Sequence, residues 1–161
     1  MDIKYKVFIS STHDDLIEER SKVSQDLLTL DCMPCAMETF PAAPKDSWTF
    51  IKSLIDQCYY FILIVSDIYG STDEDGISFT EKEYDYAISK QLPILSFVRS
   101  DVDSLPTTKK ETDPEKRQRL EAFIKKVSER NYDRWNNAEN LATSVIAALA
   151  RLILAQPGTG W

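Results

Sequence analysis

The sequence predicts an α/β domain, a parallel sheet with helices on both faces. Three observations predict it. Short apolar runs alternate with longer amphipathic segments along the chain, the pattern of successive βα units. One run, Tyr60-Phe-Ile-Leu-Ile-Val65, is apolar without interruption, as expected of a central parallel strand covered on both faces. Two segments, VFISSTHDDLIEER at 7–20 and GISFTEKEYDYAISKQLPILSFV at 76–98, each join an apolar run to an amphipathic helix.

Taken in order, Tyr5 to Ser10 reads as strand one, with Val7, Phe8 and Ile9 as its apolar residues. Ser11-Thr12-His13-Asp14-Asp15 then supplies cap and acidic first-turn residues for helix one. That helix runs to about residue 30, with Leu16, Val23, Leu27 and Leu30 on one face. Pro34 to Met37 is strand two, and Phe40-Pro-Ala-Ala-Pro44 lies in the loop after it. Asp46 caps helix two, whose apolar stripe is Trp48, Ile51, Leu54, Ile55 and Cys58.

Strand three is the apolar run 60–65, followed by a loop rich in Gly, Ser and Asp from Asp67 to Gly76. Helix three spans Phe79 to Lys90 and strand four Leu92 to Val98. Beyond the polar stretch SDVDSLPTTKKETDP, helix four carries Leu120, Phe123, Ile124 and Val127 on one face. Asn131 to Trp135 holds a short fifth strand, and the last helix, Ala138 to Ala155, carries Leu141, Val145, Ala148, Leu149 and Leu152. The expected strand order is the flavodoxin-like 2-1-3-4-5.

A chain of 161 residues fits one domain that buries roughly 70% of the surface its unfolded form exposes. Its content, 43% hydrophobic and 28% charged, is that of a soluble globular protein. A net charge of −7 argues against nucleic-acid binding, which depends on neutralising phosphates with Lys and Arg. No apolar run reaches the ~20 residues that span a bilayer, and residues 1–6 lack the apolar stretch of a signal peptide. A cytoplasmic protein that binds neither membrane nor nucleic acid is expected. The closing QPGTGW follows the last helix abruptly, as if one domain were cut from a longer chain.

Three cysteines cannot all pair within one chain. Cys32 and Cys35 form a C-x-x-C, but no second such pair completes tetrahedral zinc, and Pro34 places the motif at a strand rather than at a helix N-terminus. Buried thiols are the plainer reading. His13, the sole histidine, cannot build a metal site alone, and Asp73-Glu74-Asp75 lacks the spacing of a calcium loop. No metal is expected.

With four glycines, neither G-x-G-x-x-G nor a Walker A run can be drawn. Ser10, Ser11 and Thr12 leave strand one toward a helix N-terminus, where hydroxyls and unpaired N–H groups either cap the helix or also meet a phosphate. Helix three offers two glutamates. Ser78-Phe-Thr-Glu81 matches the S-x-x-E capping box, which gives Glu81 a structural role. At about 100° per residue, Glu83 falls at the edge of the face formed by Thr80, Tyr84, Ala87 and Ile88. It points toward the sheet, where a carboxylate can hydrogen-bond a sugar hydroxyl or stabilise an oxocarbenium-like transition state; otherwise it is a solvated partner of Lys82 or Lys90. Phe40, Trp48, Tyr69 and Phe79 lie in or beside loops at the same end, as stacking surfaces or as core lids.

On VFISSTHDDLIEER, DIYGS at 67–71, GISFTEKEYDYA at 76–87 and the final GW, the chain resembles a family of TIR-like domains of unknown function. These are found at the N-terminus of larger bacterial or NLR-like proteins and resemble TIR domains and nucleoside 2-deoxyribosyltransferases. The resemblance covers about Tyr5 to Trp161 and implies a single TIR-like, flavodoxin-like domain over 1–161. Enzymatic TIR domains cleave the nicotinamide–ribose bond of NAD with a glutamate on the helix after strand three. The spacing of Glu83, Ala87 and the strand from Leu92 fits that pattern. Two departures stand out. Thr80, Glu81 and Lys82 replace the Trp-Cys or Ser-Trp that often precedes that glutamate, and FPAAP at 40–44 stands for the Pro-tipped BB loop.

The resemblance therefore implies cleavage of the N-glycosidic bond of NAD or a related nucleotide, as substrate rather than cofactor. Glu83 is the expected catalytic residue and Glu81 the second choice. Ser10, Ser11 and Thr12 would hold phosphate, and Tyr69 or Phe79 would stack on a ring. Activation by self-association, or by other TIR-like domains, in antiphage defence follows from the same resemblance. The alternatives are a non-catalytic assembly or nucleotide-sensing module and deoxyribosyl transfer. The enzymatic reading requires the Glu83 carboxylate to face a cavity that admits a sugar.

Overall fold

Strands β1 (Tyr5–Ser10), β2 (Cys32–Cys35), β3 (Tyr60–Val65), β4 (Ile94–Arg99) and β5 (Asp133–Trp135) alternate with helices α1 (Ile17–Leu27), α2 (Trp48–Asp56), α3 (Phe79–Ser89), α4 (Pro114–Ser128) and α5 (Ala138–Ala155). The computed structural model describes residues 5–36 and 48–158. The strands form one sheet in the order β2-β1-β3-β4-β5, every pair parallel. This is the flavodoxin-like α/β arrangement anticipated from the sequence.

Alternation along each strand divides the core in two. Val7, Ile9, Tyr60, Ile62 and Ile64 face α1 and α5, where Leu16, Val23, Leu27, Leu141, Val145 and Leu149 meet them. Phe8, Phe61, Leu63 and Val65 face the other way, onto Ile51, Leu54 and Ile55 of α2, Tyr84 and Ala87 of α3, and Leu120, Phe123 and Val127 of α4. All six residues of β3 are buried, as its uninterrupted apolarity requires.

Several boundaries differ from expectation. β2 begins at Cys32, two residues earlier than Pro34, because its register sets Tyr5 against Cys32 and Phe8 against Cys35. Both thiols turn into the core, and Pro34 is tolerated because β2 is an edge strand. All three cysteines are free and buried. Met37, the loop at 40–44 with Phe40, the Asp46 cap and the final Gly-Trp lie outside the described residues.

Helix α1 starts at Ile17, not in the Ser11–Asp15 stretch. The Leu16 N–H reaches back to the His13 carbonyl at 3.0 Å, and Asp15 is hydrogen-bonded by the Thr12 side chain. These local bonds form a turn that competes with helix. His13 therefore precedes the helix, its ring nitrogen 2.9 Å from Asp14 Oδ1. In the loop after β3, Asp73 Oδ1 accepts the N–H groups of Asp75 (2.9 Å) and Ile77 (3.0 Å), a turn-forming role rather than an ion-binding one.

Helix α5 also departs from the expectation that no apolar run suits a bilayer. By length and composition its 18 residues could cross one. Here Leu141, Ala142, Val145, Ala148 and Leu149 are buried in the protein core.

Candidate active site

The carboxyl ends of β1, β3 and β4 form the edge where an open α/β sheet binds ligands, beside the point at which β1 has neighbours that leave in opposite directions. Ser10 ends β1, in register with Leu63 of β3. Its hydroxyl donates a 2.6 Å hydrogen bond to Glu83 Oε1. Glu83 reaches it from α3, on the inward face shared with Thr80, Tyr84 and Ala87. That helix is aimed by its cap, where the Ser78 side chain accepts the Glu81 N–H at 3.1 Å.

Glu83 is 7% exposed. Burial pushes its pKa from an ordinary 4.5 up to about 7, partly offset by the Ser10 hydrogen bond and by the Arg20 charge. Desolvation disfavours the charged form, while the hydroxyl and the guanidinium favour it. The outcome is a carboxyl balanced between acid and base near neutrality, the condition proton-transfer chemistry needs.

Arg20 arrives from α1 on the opposite face of the sheet, is buried, and donates from Nη1 to Ser11 Oγ at 2.6 Å. Ser11 in turn donates to the Thr12 carbonyl at 2.5 Å. The three residues expected to hold phosphate thus have partners already. Ser10 and Ser11 link Glu83 to Arg20, and Thr12 supports Asp15. They leave the strand into the loop before α1, not directly into its first turn.

The other expected site residues divide between two places. The Tyr69 hydroxyl donates to Glu81 Oε1 at 2.6 Å, and Lys126 from α4 donates to Glu81 Oε2 at 2.5 Å. The capping box is therefore half formed: the Glu81 backbone is capped, but its side chain turns to these distant partners. Tyr69 is 2% exposed, so its ring faces are taken up by the core and are not open for stacking. Phe79 is half-buried, and Lys82 Nζ sits 5.3 Å from its ring centroid and 4.8 Å from that of Trp48. These two aromatics share a cation rather than a cavity.

A brace holds the two loops flanking this edge. Arg117 makes a bidentate pair with Asp67, at 2.7 and 2.8 Å. Glu111 Oε1 accepts the Tyr69 N–H at 2.8 Å, and the Glu111 N–H bonds the Asp67 carbonyl at 2.7 Å. The hollow lined by Thr12, Ser66, Tyr69 and Thr80, among others, measures about 10 Å³. That is room for about one water, not for a sugar. Glu83 turns inward, buried and hydrogen-bonded by Ser10, and is not among the residues that line this hollow.

Sequence reasoning missed four charged residues at this edge: Asp15, Glu19, Arg20 and Arg99. Glu19 and Arg20 are buried in the turn between Leu16 and Val23, on the stripe that α1 turns to the core. A charged pair at stripe positions was the available signal. Arg99 closes β4, its Nη1 3.7 Å from Glu19 Oε2.

The family model described as "Domain of unknown function (DUF4062)" matches residues 6–150. No curated protein matches the sequence significantly. Among solved structures, that of Clostridium botulinum CMP N-glycosidase, BcmB, is similar at 12% identity and TM-score 0.54, over 89% of this chain and 98% of that one. A cysteine-to-serine mutant of flavodoxin from Pseudomonas aeruginosa aligns at 16% identity and TM-score 0.45, over 97% and 100%. At such identities the likeness is one of fold.

Proposed function

The chain belongs to the DUF4062 family, a domain class of unknown function, and from that premise we propose that it is an N-glycosidase acting on a nucleotide, with NAD or a related nucleotide as substrate. The observation that carries this reading is the buried Glu83 carboxylate, held by Ser10 at the carboxyl end of β1 and balanced near pH 7. The fold likeness to a CMP N-glycosidase supports the same bond type.

In this mechanism ionised Glu83 accepts a hydrogen bond from a ribose hydroxyl and faces the anomeric carbon. The C1′–N bond breaks with its electron pair going to the base. Positive charge then develops on the ring oxygen and C1′, and the adjacent carboxylate stabilises it in a water-poor site. Water adds its oxygen to C1′ and gives up a proton, to solvent where nicotinamide leaves as a neutral molecule and to the departing base where a pyrimidine or purine leaves as its anion. Arg20, tied to Ser11, supplies positive charge on the side of the substrate phosphate. As a single TIR-like domain over 1–161, the protein would open this edge on self-association, the form in which an antiphage role would be exercised.

Purified protein incubated with NAD, CMP and deoxynucleosides, at high concentration or with a crowding agent, tests the reading. Base release that is lost in Glu83→Gln and kept in Glu81→Gln is the expected result. Turnover indifferent to Glu83→Gln would overturn the assignment. A non-catalytic nucleotide-sensing or assembly module is the second reading, favoured by the small hollow at this edge; nucleotide binding without base release from any substrate would select it.

A further inference from the structure

We infer that Asp15, Glu19 and Arg99 form a base-reading subsite that selects a ligand edge carrying an amino group beside an acceptor. The inference rests on the nucleotide N-glycosidase reading and names the substrate class of that site.

Among the described residues, three buried side-chain atoms, Asp15 Oδ2, Glu19 Oε1 and Arg99 Nε, have no hydrogen-bond partner. Asp15 is 7% and Glu19 6% exposed. An unpaired polar atom in the interior is costly, so three at one edge require an explanation. The groups belong together. Asp15 and Glu19 interact as like charges, and Glu19 Oε2 stands 3.7 Å from Arg99 Nη1. The segments that carry them, the start of α1 and the end of β4, border the edge where Ser10 and Glu83 meet.

None of the three can readily turn away to find a partner. Arg99 is fixed by Nη2 donating to the Asn136 carbonyl at 2.9 Å and by its guanidinium lying 4.7 Å from the Trp135 ring centroid. Asp15 is hydrogen-bonded by Thr12, and Lys109 approaches it from the loop after β4. No third carboxylate, thiolate or imidazole joins the pair among the described residues, so a hydrogen-bonding ligand fits the donor set better than a metal ion.

What remains is two acceptors and one donor. Their complement is a planar edge with two N–H groups and one acceptor. Cytosine and adenine present an exocyclic amine next to a ring nitrogen, and a nicotinamide carboxamide presents NH₂ beside C=O. Uracil, hypoxanthine or a nicotinate carboxylate would instead set an oxygen against Asp15 and Glu19. Sites built around hydrogen-bond donors of the substrate reject analogues that lack them, because their own buried groups are then left unpaired.

Calorimetric titration with three matched pairs tests this: CMP against UMP, AMP against IMP, and NAD against its nicotinic acid counterpart. At least one amino-bearing member binds about ten-fold or more tighter than its partner, and the pair that shows it identifies the source of the edge. In Glu19→Gln and Asp15→Asn that ratio falls below about three-fold, because the amide supplies N–H where an acceptor stood. Ratios near unity in all pairs, no binding of any nucleotide, or a ratio unchanged in both variants would overturn the subsite. Should either variant fail to fold by circular dichroism, the wild-type ratios and the other variant still decide. Selective binding without base release would remove the glycosidase reading alone; base release without selectivity would remove the subsite alone.

Discussion

Ser10 and Glu83 stand 73 residues apart in the chain and 2.6 Å apart at the carboxyl end of the sheet. The contact joins the end of a central strand to the inward face of α3. It places an ionisable oxygen in the protein interior with the Ser10 hydroxyl as its donor, and several consequences can be measured.

The first is a pH-dependent stability. In the unfolded chain Glu83 titrates near 4.5, and in the folded protein near 7. Between those values the native state holds the extra proton, so stability must fall as pH rises. The contribution is complete below about pH 4.5 and lost by about pH 7, and it amounts to about 3 kcal/mol. Glu83→Gln, which cannot ionise, is expected to be more stable than wild type by that order at pH 8 and nearly equal to it at pH 4.5. Urea denaturation of both proteins at the two pH values checks this; a difference that does not vary with pH would mean that Glu83 is not desolvated.

A second prediction concerns Ser10. Its hydroxyl favours the ionised form of Glu83, so Ser10→Ala raises the carboxyl pKa further. If base release needs ionised Glu83, the rising limb of the pH–rate profile moves to higher pH. A hydrogen bond to a charged group is worth about 1.5–3 kcal/mol, so activity at pH 7 falls roughly ten-fold and recovers in part near pH 9. A uniform loss at every pH would mark Ser10 as a packing residue only.

Glu81 behaves differently. Its carboxylate is held by Tyr69 and by Lys126, which is 40% exposed, at the junction of α3 with α4. Ion pairs open to solvent contribute little, about 1 kcal/mol or less. Glu81→Gln therefore lowers stability slightly and leaves base release within about three-fold of wild type. Thermal melts and initial rates measured on one preparation separate the two effects, and a loss of rate matching that of Glu83→Gln would exchange the roles of the two glutamates.

What could be read in advance follows physical range. The run Tyr60–Val65 identified the central strand because burial on both faces demands uniform apolarity. The placement of Glu83 followed from helical periodicity, a property of neighbouring residues. Asp15 was misread because Ser, Thr and Asp serve helix caps and non-helical turns equally well, and only the Thr12 contact decides between them. The Glu81 side chain looked committed to its own helix end, whereas Lys126 lies 45 residues away and no local pattern announces it. Arg20 is buried within the apolar stripe of α1, and periodicity of apolar residues carries no signal for a charged residue placed there.

The last prediction tests how closely the loop after β3 approaches the site. Gly70 has φ +96°, and a Cβ built there would lie 2.9 Å from Thr12 Cγ2. Gly70→Ala thus meets two penalties, a backbone conformation that favours glycine and a clash with the residue that supports Asp15. Together they are expected to cost about 2 kcal/mol, which for a domain of this size lowers Tm by about 4–8 °C. The two penalties separate in a double variant. Thr12→Ser deletes the clashing methyl and keeps the hydroxyl for Asp15, so Gly70→Ala should cost less in that background, with the conformational part remaining. If Thr12→Ser gives no relief, the loop yields at Gly70 without pressing on Thr12, and the two segments are less tightly coupled than their 2.9 Å approach implies.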